Sequence, residues 1–108
     1  MNPLRLILVG LGARARMWLP VLAANPTVHI VALCDPDPAA RAYAAETNPG
    51  VPIGESLAEV ICTEAEAVLL CTPPSGREKD IEICCAKSLA ILAEKPLADD
   101  VTDAARFV

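Results

Sequence analysis

Short apolar runs alternate with alanine-rich segments of helical length along the chain, and this alternation constrains the fold more than any other sequence feature. The runs show no regular polar positions, which is typical of strands buried on both faces of a parallel sheet. We predict five such strands, at residues Leu4–Val9, Val28–Cys34, 51–54, 67–72 and 89–93.

The segments between these strands contain residues that are typical of helix starts. Pro36 and Pro38 exclude strand pairing but suit the first turn of a helix, and Ser56 followed by Glu59 has the spacing of a capping box. The predicted helices cover residues 13–24, a segment through Arg41 to about Thr47, a short segment begun by Ser56, residues 76–87, and a last segment from Asp99 that still runs at Val108.

Strand and helix alternating five times favour an α/β fold with a doubly wound, mostly parallel Rossmann-type sheet and helices on both faces. The 108 residues, 54% of them hydrophobic, suffice for one core and not for two. We therefore predict a single domain over residues 1–108. Because such sheets usually continue to a sixth strand, we expect the chain to be a truncated part of a longer protein.

Composition argues against several function classes. The net charge of −5, nine Lys and Arg residues and 3% aromatic residues disfavour a nucleic-acid binder. No apolar run approaches a membrane span and no signal peptide is visible, so we expect a cytoplasmic protein without a membrane partner. The five cysteines lack a metal-binding spacing. We expect them to be reduced thiols packed as small hydrophobic residues, with no metal site.

The sharpest local motif follows the first strand and opens the first helix, the context that a dinucleotide fingerprint requires. Gly10 permits a tight turn, Gly12 lets backbone approach a pyrophosphate, and Ala15 is small enough for close helix–strand packing. The N–H groups at the helix start then face the anion. The alternative is an ordinary strand-to-helix turn. The predicted cofactor-binding segment is Gly10-Leu11-Gly12-Ala13-Arg14-Ala15.

Asp35 lies 20 residues after Ala15, at the end of the second apolar run. A carboxylate there accepts hydrogen bonds from both hydroxyls of an adenosine ribose and repels a 2′-phosphate, so NAD is favoured over NADP. Two alternatives stay open. Asp35 before Pro36 is also suited to capping a helix, and Arg14 or Arg16 offers a cation to a phosphate.

Two further motifs end the fourth and fifth strands, on the same sheet edge as the glycine turn. They are Thr72-Pro73-Pro74-Ser75 and Glu94-Lys95-Pro96. Open α/β sheets bind their ligands at the carboxyl ends of the strands. Taken separately, each motif is also compatible with a proline-rich loop that carries solvated charges.

Taken together, these segments resemble the N-terminal half of the glucose-fructose oxidoreductase, inositol dehydrogenase and rhizopine-catabolism (Gfo/Idh/MocA) family. The resemblance implies a Rossmann domain that holds NAD(P), with Thr72, Pro73 and Pro74 beside the cofactor and Glu94-Lys95-Pro96 near the nicotinamide ribose. It also implies a catalytic role for Lys95, which would orient and polarise the substrate's reacting hydroxyl. The peptide bond matching Lys95 to Pro96 is often cis in the family.

The resemblance has departures and omissions. The family commonly has His where this chain has Arg77, and Gly where it has Ser88. Its second domain supplies most substrate contacts, the usual surface for homo-oligomer formation, and a general acid/base His. The chain's own His29 begins the second strand, away from the ligand edge, so we expect a structural role for it.

The resemblance thus implies a dehydrogenase that transfers hydride between the nicotinamide and a sugar, cyclitol or similar polyol. We expect the 108 residues alone to bind dinucleotide weakly and to catalyse no reaction. An alternative is a regulatory NAD(H)-sensing module, which has no need of a Lys at the nicotinamide end. A further alternative is an α/β protein in which each of these motifs only forms a turn and binds no ligand.

Overall fold

A computed structural model of the chain describes residues 2–61, 64–73 and 77–93. The strands are β1 (Leu4–Val9), β2 (Val28–Cys34), β3 (Ile53–Gly54), β4 (Ala67–Leu70) and β5 (Ala90–Ala93). The helices are α1 (Ala13–Ala23), α2 (Pro38–Thr47), α3 (Leu57–Val60) and α4 (Glu78–Ala86). The helix predicted from Asp99 lies outside the described residues.

The strands form one parallel sheet in the order β3-β2-β1-β4-β5 within the described part of the chain. The chain runs outward from β1 to β3 and then crosses back to add β4 on the other side of β1. The strand order therefore reverses between β1 and β4, which is where a doubly wound sheet opens a crevice at its carboxyl edge. The predicted α/β Rossmann-type fold is confirmed.

Alternate residues of β1 face two separate hydrophobic cores. Leu6 and Leu8 pack in a core with Leu19 of α1, whereas Ile7 and Val9 pack on the opposite face in a core that includes Ile81 of α4. Both faces of the central strands are thus covered, which explains their uninterrupted apolar sequence.

Some element bounds differ from the prediction. Pro52 has no backbone N–H, and β3 begins after it at Ile53 instead of at residue 51. The strand β4 ends at Leu70, and α4 begins at Glu78 instead of at residue 76. At the start of α3, the Ser56 hydroxyl accepts a hydrogen bond from the Glu59 N–H at 3.3 Å, so this half of the predicted capping box is confirmed.

Two-sided burial was the wrong expectation for β5. Ile91 is 38% exposed and Leu92 is 55% exposed. The reason is position, because β5 is an edge strand in the described part of the chain, with only β4 paired to it. Within the same residues, no helix is both long and apolar enough to cross a membrane.

The cysteines divide by burial. Cys34 and Cys84 are free thiols buried in the core, as predicted, and Cys71 is half-buried. Cys85 is exposed on α4, so packing as a small hydrophobic residue was the wrong expectation for it. Its neighbour Cys84 occupies the inward face of the same helix, and adjacent helical residues cannot share a face. Cys62 lies outside the described residues.

Candidate functional site

Gly10 lies where the carboxyl ends of three strands converge. Its N–H donates to the Cys34 carbonyl at the end of β2 at 2.8 Å, and its φ is +91°. A Cβ at this position would lie 3.0 Å from the backbone of Cys71 and Thr72 beyond β4. Both the left-handed backbone and this close approach require glycine at position 10.

Gly12 has no such structural constraint. It caps the N-terminus of α1 with a φ of −80°, and an added Cβ would meet nothing within 4 Å. Ala15, one turn into α1, is fully buried, as close packing of the helix on the sheet requires. The space over Gly12 is therefore open to a ligand, and the N–H groups at the start of α1, including those of Ala13 and Arg14, border that opening.

Asp35 connects the end of β2 to this glycine turn. One carboxylate oxygen accepts a hydrogen bond from the Leu11 N–H at 2.7 Å, and the other accepts from the Asp37 N–H at 2.8 Å. The cap of α2 is Asp37, whose carboxylate accepts from the Ala39 N–H at 3.0 Å. Helix capping therefore does not account for Asp35, whose half-exposed carboxylate keeps lone pairs for further donors.

Arg41 holds the segment that follows Asp35, a contact that sequence reasoning missed. Its guanidinium donates to the Asp35 carbonyl at 2.9 Å and to the Pro36 carbonyl at 3.0 Å, and it lies 3.8 Å from a Glu55 carboxylate oxygen. The Arg41 guanidinium thus interacts with two backbone carbonyls and a carboxylate of the protein itself. A signal was present, since Arg41 follows Asp35 by six residues and lies in the first turns of α2.

The two arginines considered as phosphate partners in the sequence have other contacts. The Arg16 guanidinium carbon lies 4.0 Å from the centroid of the Tyr43 ring, in a cation–π arrangement. An Arg14 guanidinium nitrogen lies 3.8 Å from the sulfur of Met17.

The turn after β4 contains Thr72 and is held by a buried cation. Arg77 is 1% exposed, and its guanidinium donates to the Thr72 carbonyl at 2.6 Å. Arg77 thus fixes this turn from inside. The Thr72 hydroxyl oxygen is buried and has no hydrogen-bond partner among the described residues. A buried hydroxyl without a partner is unfavourable, so this atom is suited to a ligand's polar group.

A cavity of about 320 Å³ opens at the carboxyl ends of β1, β2 and β4. Its wall brings together Gly10, Thr72 and Pro73, which the sequence singled out, with Glu55 and Asp80, which it did not. The complete lining comprises Val9, Gly10, Cys34, Pro36, Glu55, Ser56, Leu57, Thr72, Pro73 and Asp80.

The acidic groups around this cavity act on Cys34. Burial first, then the charges of Asp80 and Asp35, raise the pKa of the Cys34 thiol to about 12. Cys34 is therefore an uncharged thiol at neutral pH, and no nucleophilic role follows for it.

Other predicted residues lie elsewhere. Pro74, Glu94, Lys95 and Pro96 are outside the described residues, so the structure gives no geometry for them. His29 is exposed near the start of β2, at the amino end of the sheet and far from the carboxyl edge, in agreement with its expected exclusion from the site.

The match to a known protein family covers almost the whole chain. Residues 4–108 match the model of the Gfo/Idh/MocA oxidoreductase family, described as an NAD-binding Rossmann fold. The chain belongs to the Gfo/Idh/MocA family. The predicted membership is thereby confirmed, and so is the assignment of the fold as an NAD-binding Rossmann domain.

Curated Gfo/Idh/MocA relatives are dehydrogenases. A galactose 1-dehydrogenase from Pseudomonas fluorescens is 32% identical over 111 residues, covering 100% of this chain and 34% of that protein. An inositol 2-dehydrogenase from Corynebacterium glutamicum is 36% identical over 81 residues, covering 74% of this chain and 24% of that protein. The chain thus spans between a quarter and a third of the length of these relatives.

Solved Gfo/Idh/MocA structures share the fold closely. The WlbA dehydrogenase from Chromobacterium violaceum, solved with NADH and UDP-GlcNAcA, has a TM-score of 0.90 and 28% identity, covering 99% of this chain and 31% of that chain. KijD10, a 3-ketoreductase from Actinomadura kijaniata solved with NADP, has a TM-score of 0.84 and 27% identity, covering 98% of this chain and 34% of that chain. Structural neighbours therefore include complexes with both NAD(H) and NADP.

Proposed function

We propose that this chain is the NAD-binding part of a dehydrogenase that acts on a sugar, cyclitol or similar small polyol. The observation that carries the proposal is the hydrogen bond from the Leu11 N–H to the Asp35 carboxylate. It joins the two elements that a dinucleotide needs, which are a ribose-binding acid and a glycine turn at a helix N-terminus.

Two observations support the fit of a dinucleotide. The open space over Gly12 lets a pyrophosphate approach the N–H groups at the start of α1 without meeting a side chain. The buried Thr72 hydroxyl has no partner among the described residues, and Thr72 lines the cavity at the same edge of the sheet. In this arrangement Asp35 accepts hydrogen bonds from the adenosine ribose, and the turn at Thr72, Pro73 and Pro74 borders the cofactor.

The proposal favours NAD over NADP on electrostatic grounds. The Asp35 carboxylate would face a 2′-phosphate at close range, where like charges repel. Arg41, the nearest cation on the chain after Asp35, donates to two backbone carbonyls and pairs with Glu55. Because its guanidinium already has these partners, Arg41 does not offset the repulsion between Asp35 and a 2′-phosphate.

The roles of the residues at the nicotinamide end of the site are proposed from the resemblance to the family. When bound, the nicotinamide supplies the hydride transfer. Glu94, Lys95 and Pro96 would lie near its ribose, with the Lys95 ammonium orienting the substrate hydroxyl and stabilising negative charge that develops on its oxygen. The polyol class is supported by the galactose and inositol dehydrogenases among the relatives.

In this proposal the 108 residues are sufficient for NAD binding but not for catalysis. The 108 residues contain the proposed cofactor site but not the acid/base His and substrate contacts that the family places in its second domain. We propose that the chain alone binds NAD weakly and oxidises no polyol, and that homo-oligomer formation requires the second domain. The free thiols among the described cysteines support a cytoplasmic location.

Two measurements test the proposal. Calorimetry should detect NAD binding to the 108-residue chain, and absence of binding at millimolar NAD and NADP would overturn it. In the full-length dehydrogenase, Lys95→Ala should abolish most turnover while leaving NAD affinity nearly unchanged. Unchanged turnover would favour a nucleotide-sensing module instead. Polyol oxidation by residues 1–108 alone would contradict the separation of binding from catalysis.

A further inference from the structure

The cavity at the sheet edge lies on the adenosine side of the proposed site. Cys34 and Pro36, the residues before and after Asp35, both line it. The acid at the end of the second strand of a dinucleotide site binds the adenosine ribose. A base attached to that ribose would therefore lie next to this cavity, whose volume of about 320 Å³ is that of a small-molecule pocket.

The cavity wall carries two carboxylates with different roles. Glu55 lies at the rim, where its side chain is 68% exposed and 3.8 Å from the Arg41 guanidinium. Asp80 is half-buried on the first turn of α4, and none of the described residues donates a hydrogen bond to its carboxylate. Asp80 therefore presents to the cavity an acceptor to which no described residue donates.

Deepening the proposed function on which it rests, we propose that Asp80 is a specificity-determining residue that accepts a hydrogen bond from the exocyclic amino group of adenine. An ionised carboxylate only accepts hydrogen bonds, so it favours a base edge that carries donors. Adenine presents its amino group there. Hypoxanthine presents a carbonyl oxygen in its place, which the carboxylate repels.

The electrostatics of the cavity agree with this role. Burial raises the pKa of the Asp80 carboxyl, and the neighbouring Lys79 opposes the rise. The cost of removing water from the carboxylate is offset when a donor replaces that water. Asp80 and Cys34 both line the cavity, so the carboxylate and the end of β2 border the same space.

The experiment compares two probes that differ along this edge of the base, where hypoxanthine has a carbonyl oxygen in place of the amino group and a proton on N1. The affinities of NAD and of nicotinamide hypoxanthine dinucleotide are measured by calorimetry on the unsubstituted chain, on Asp80→Asn and on Glu82→Gln. Glu82 is exposed on the same helix and outside the cavity lining, so it is the matched charge control. For each variant the measured quantity is the ratio of its affinities for the two probes, and this ratio does not depend on the fraction of protein that is folded.

We expect the unsubstituted chain and Glu82→Gln to prefer NAD by about tenfold or more, the effect of one hydrogen bond to a charged group. In Asp80→Asn the amide can accept from the amino group or donate to the carbonyl, so the ratio should approach one. Equal binding of both probes by the unsubstituted chain would overturn the role of Asp80, as would a preference that survives in Asp80→Asn. Failure to bind either probe would overturn the proposed NAD-binding function itself.

Discussion

The backbone N–H of Leu11 donates a 2.7 Å hydrogen bond to the carboxylate of Asp35, across 24 residues of sequence. Leu11 is 1% exposed, so its side chain is anchored in the core while its N–H faces the end of β2. The bond fixes the carboxylate against the glycine turn before any ligand arrives. A group held in place in this way loses little conformational entropy on binding.

Asp35→Asn tests the electrostatic basis of cofactor choice. The amide oxygen can still accept from the Leu11 N–H, and only the bond from the Asp37 N–H is lost, so the fold should be retained while the negative charge is removed. We expect the ratio of NADP to NAD affinity, measured by calorimetry, to rise about tenfold, which corresponds to about 1.4 kcal/mol. The control is Asp37→Asn, which keeps a good helix cap for α2 and should change the ratio much less. An unchanged ratio in Asp35→Asn would contradict the proposed NAD preference.

Ser88→Gly should stabilise the protein. Ser88 follows α4 with a φ of +57°, the left-handed conformation that glycine adopts without a Cβ penalty. We expect the free energy of unfolding to rise by about 0.5–1 kcal/mol, allowing for the greater unfolded-state entropy of glycine. Urea denaturation measures this change. Ser88→Ala keeps a Cβ and serves as the control, and equal midpoints for the two variants would be inconsistent with a left-handed residue at this position.

The half-buried carboxyl of Asp80 predicts a pH dependence of stability. Because burial raises its pKa in the folded state, the native protein binds this proton more tightly than the unfolded chain does. The contribution of Asp80 to the free energy of unfolding therefore falls as the pH rises from the ordinary pKa through the raised one. Asp80→Asn should remove this fall, so its stability relative to the unsubstituted protein should be higher at pH 7 than at pH 4. Urea titrations at both pH values decide the point, and a constant difference would contradict burial of the charge.

Thiol labelling should separate the cysteines by location. Burial is the main cause that raises the pKa of Cys34 to about 12 and that of Cys84 to about 11, so both stay protonated at pH 8. Cys85 is exposed. Brief treatment of the native protein with iodoacetamide, followed by peptide mass spectrometry, should show Cys85 labelled and both buried cysteines unmodified. Labelling of Cys34 at the rate of Cys85 would indicate that the end of β2 opens.

Local patterns in the sequence were sufficient to predict the order of strands and helices and the position of the glycine turn. The apolar runs around Ile7 and Val68 are uninterrupted because helices cover both faces of the sheet, and that pattern is visible without a structure. The exposure of Leu92 was not predictable, because an edge strand and a central strand have the same apolar sequence.

The candidate site was predictable only in its glycines, in Asp35 and in the Thr72-Pro73 turn. Asp80 escaped prediction because its place in the cavity wall depends on elements distant in sequence. Arg41 follows Asp35 by only six residues, but the sequence does not show that its guanidinium reaches the Asp35 and Pro36 carbonyls. Arg77 departs from the family's usual His, and only the structure shows that its guanidinium is buried under the Thr72 carbonyl. Periodicity predicts which face of a helix is buried, but not which polar group on that face borders a cavity.

Within the glycine turn, Gly10 is required by the fold and Gly12 is proposed to admit a pyrophosphate, so substitutions at the two positions separate folding from binding. Gly10→Ala should destabilise the protein by at least about 2 kcal/mol, because the left-handed backbone and the Cβ contacts at 3.0 Å both oppose it. Gly12→Ala should leave the unfolding free energy within about 0.5 kcal/mol, since its Cβ meets nothing within 4 Å.

The most direct test is therefore an NAD titration of the Gly12→Ala chain by calorimetry, with its urea midpoint measured on the same preparation. An alanine methyl in the space reserved for the pyrophosphate should lower NAD affinity by about tenfold or more while the midpoint stays unchanged. NAD binding as tight as that of the unsubstituted chain would contradict pyrophosphate binding over Gly12.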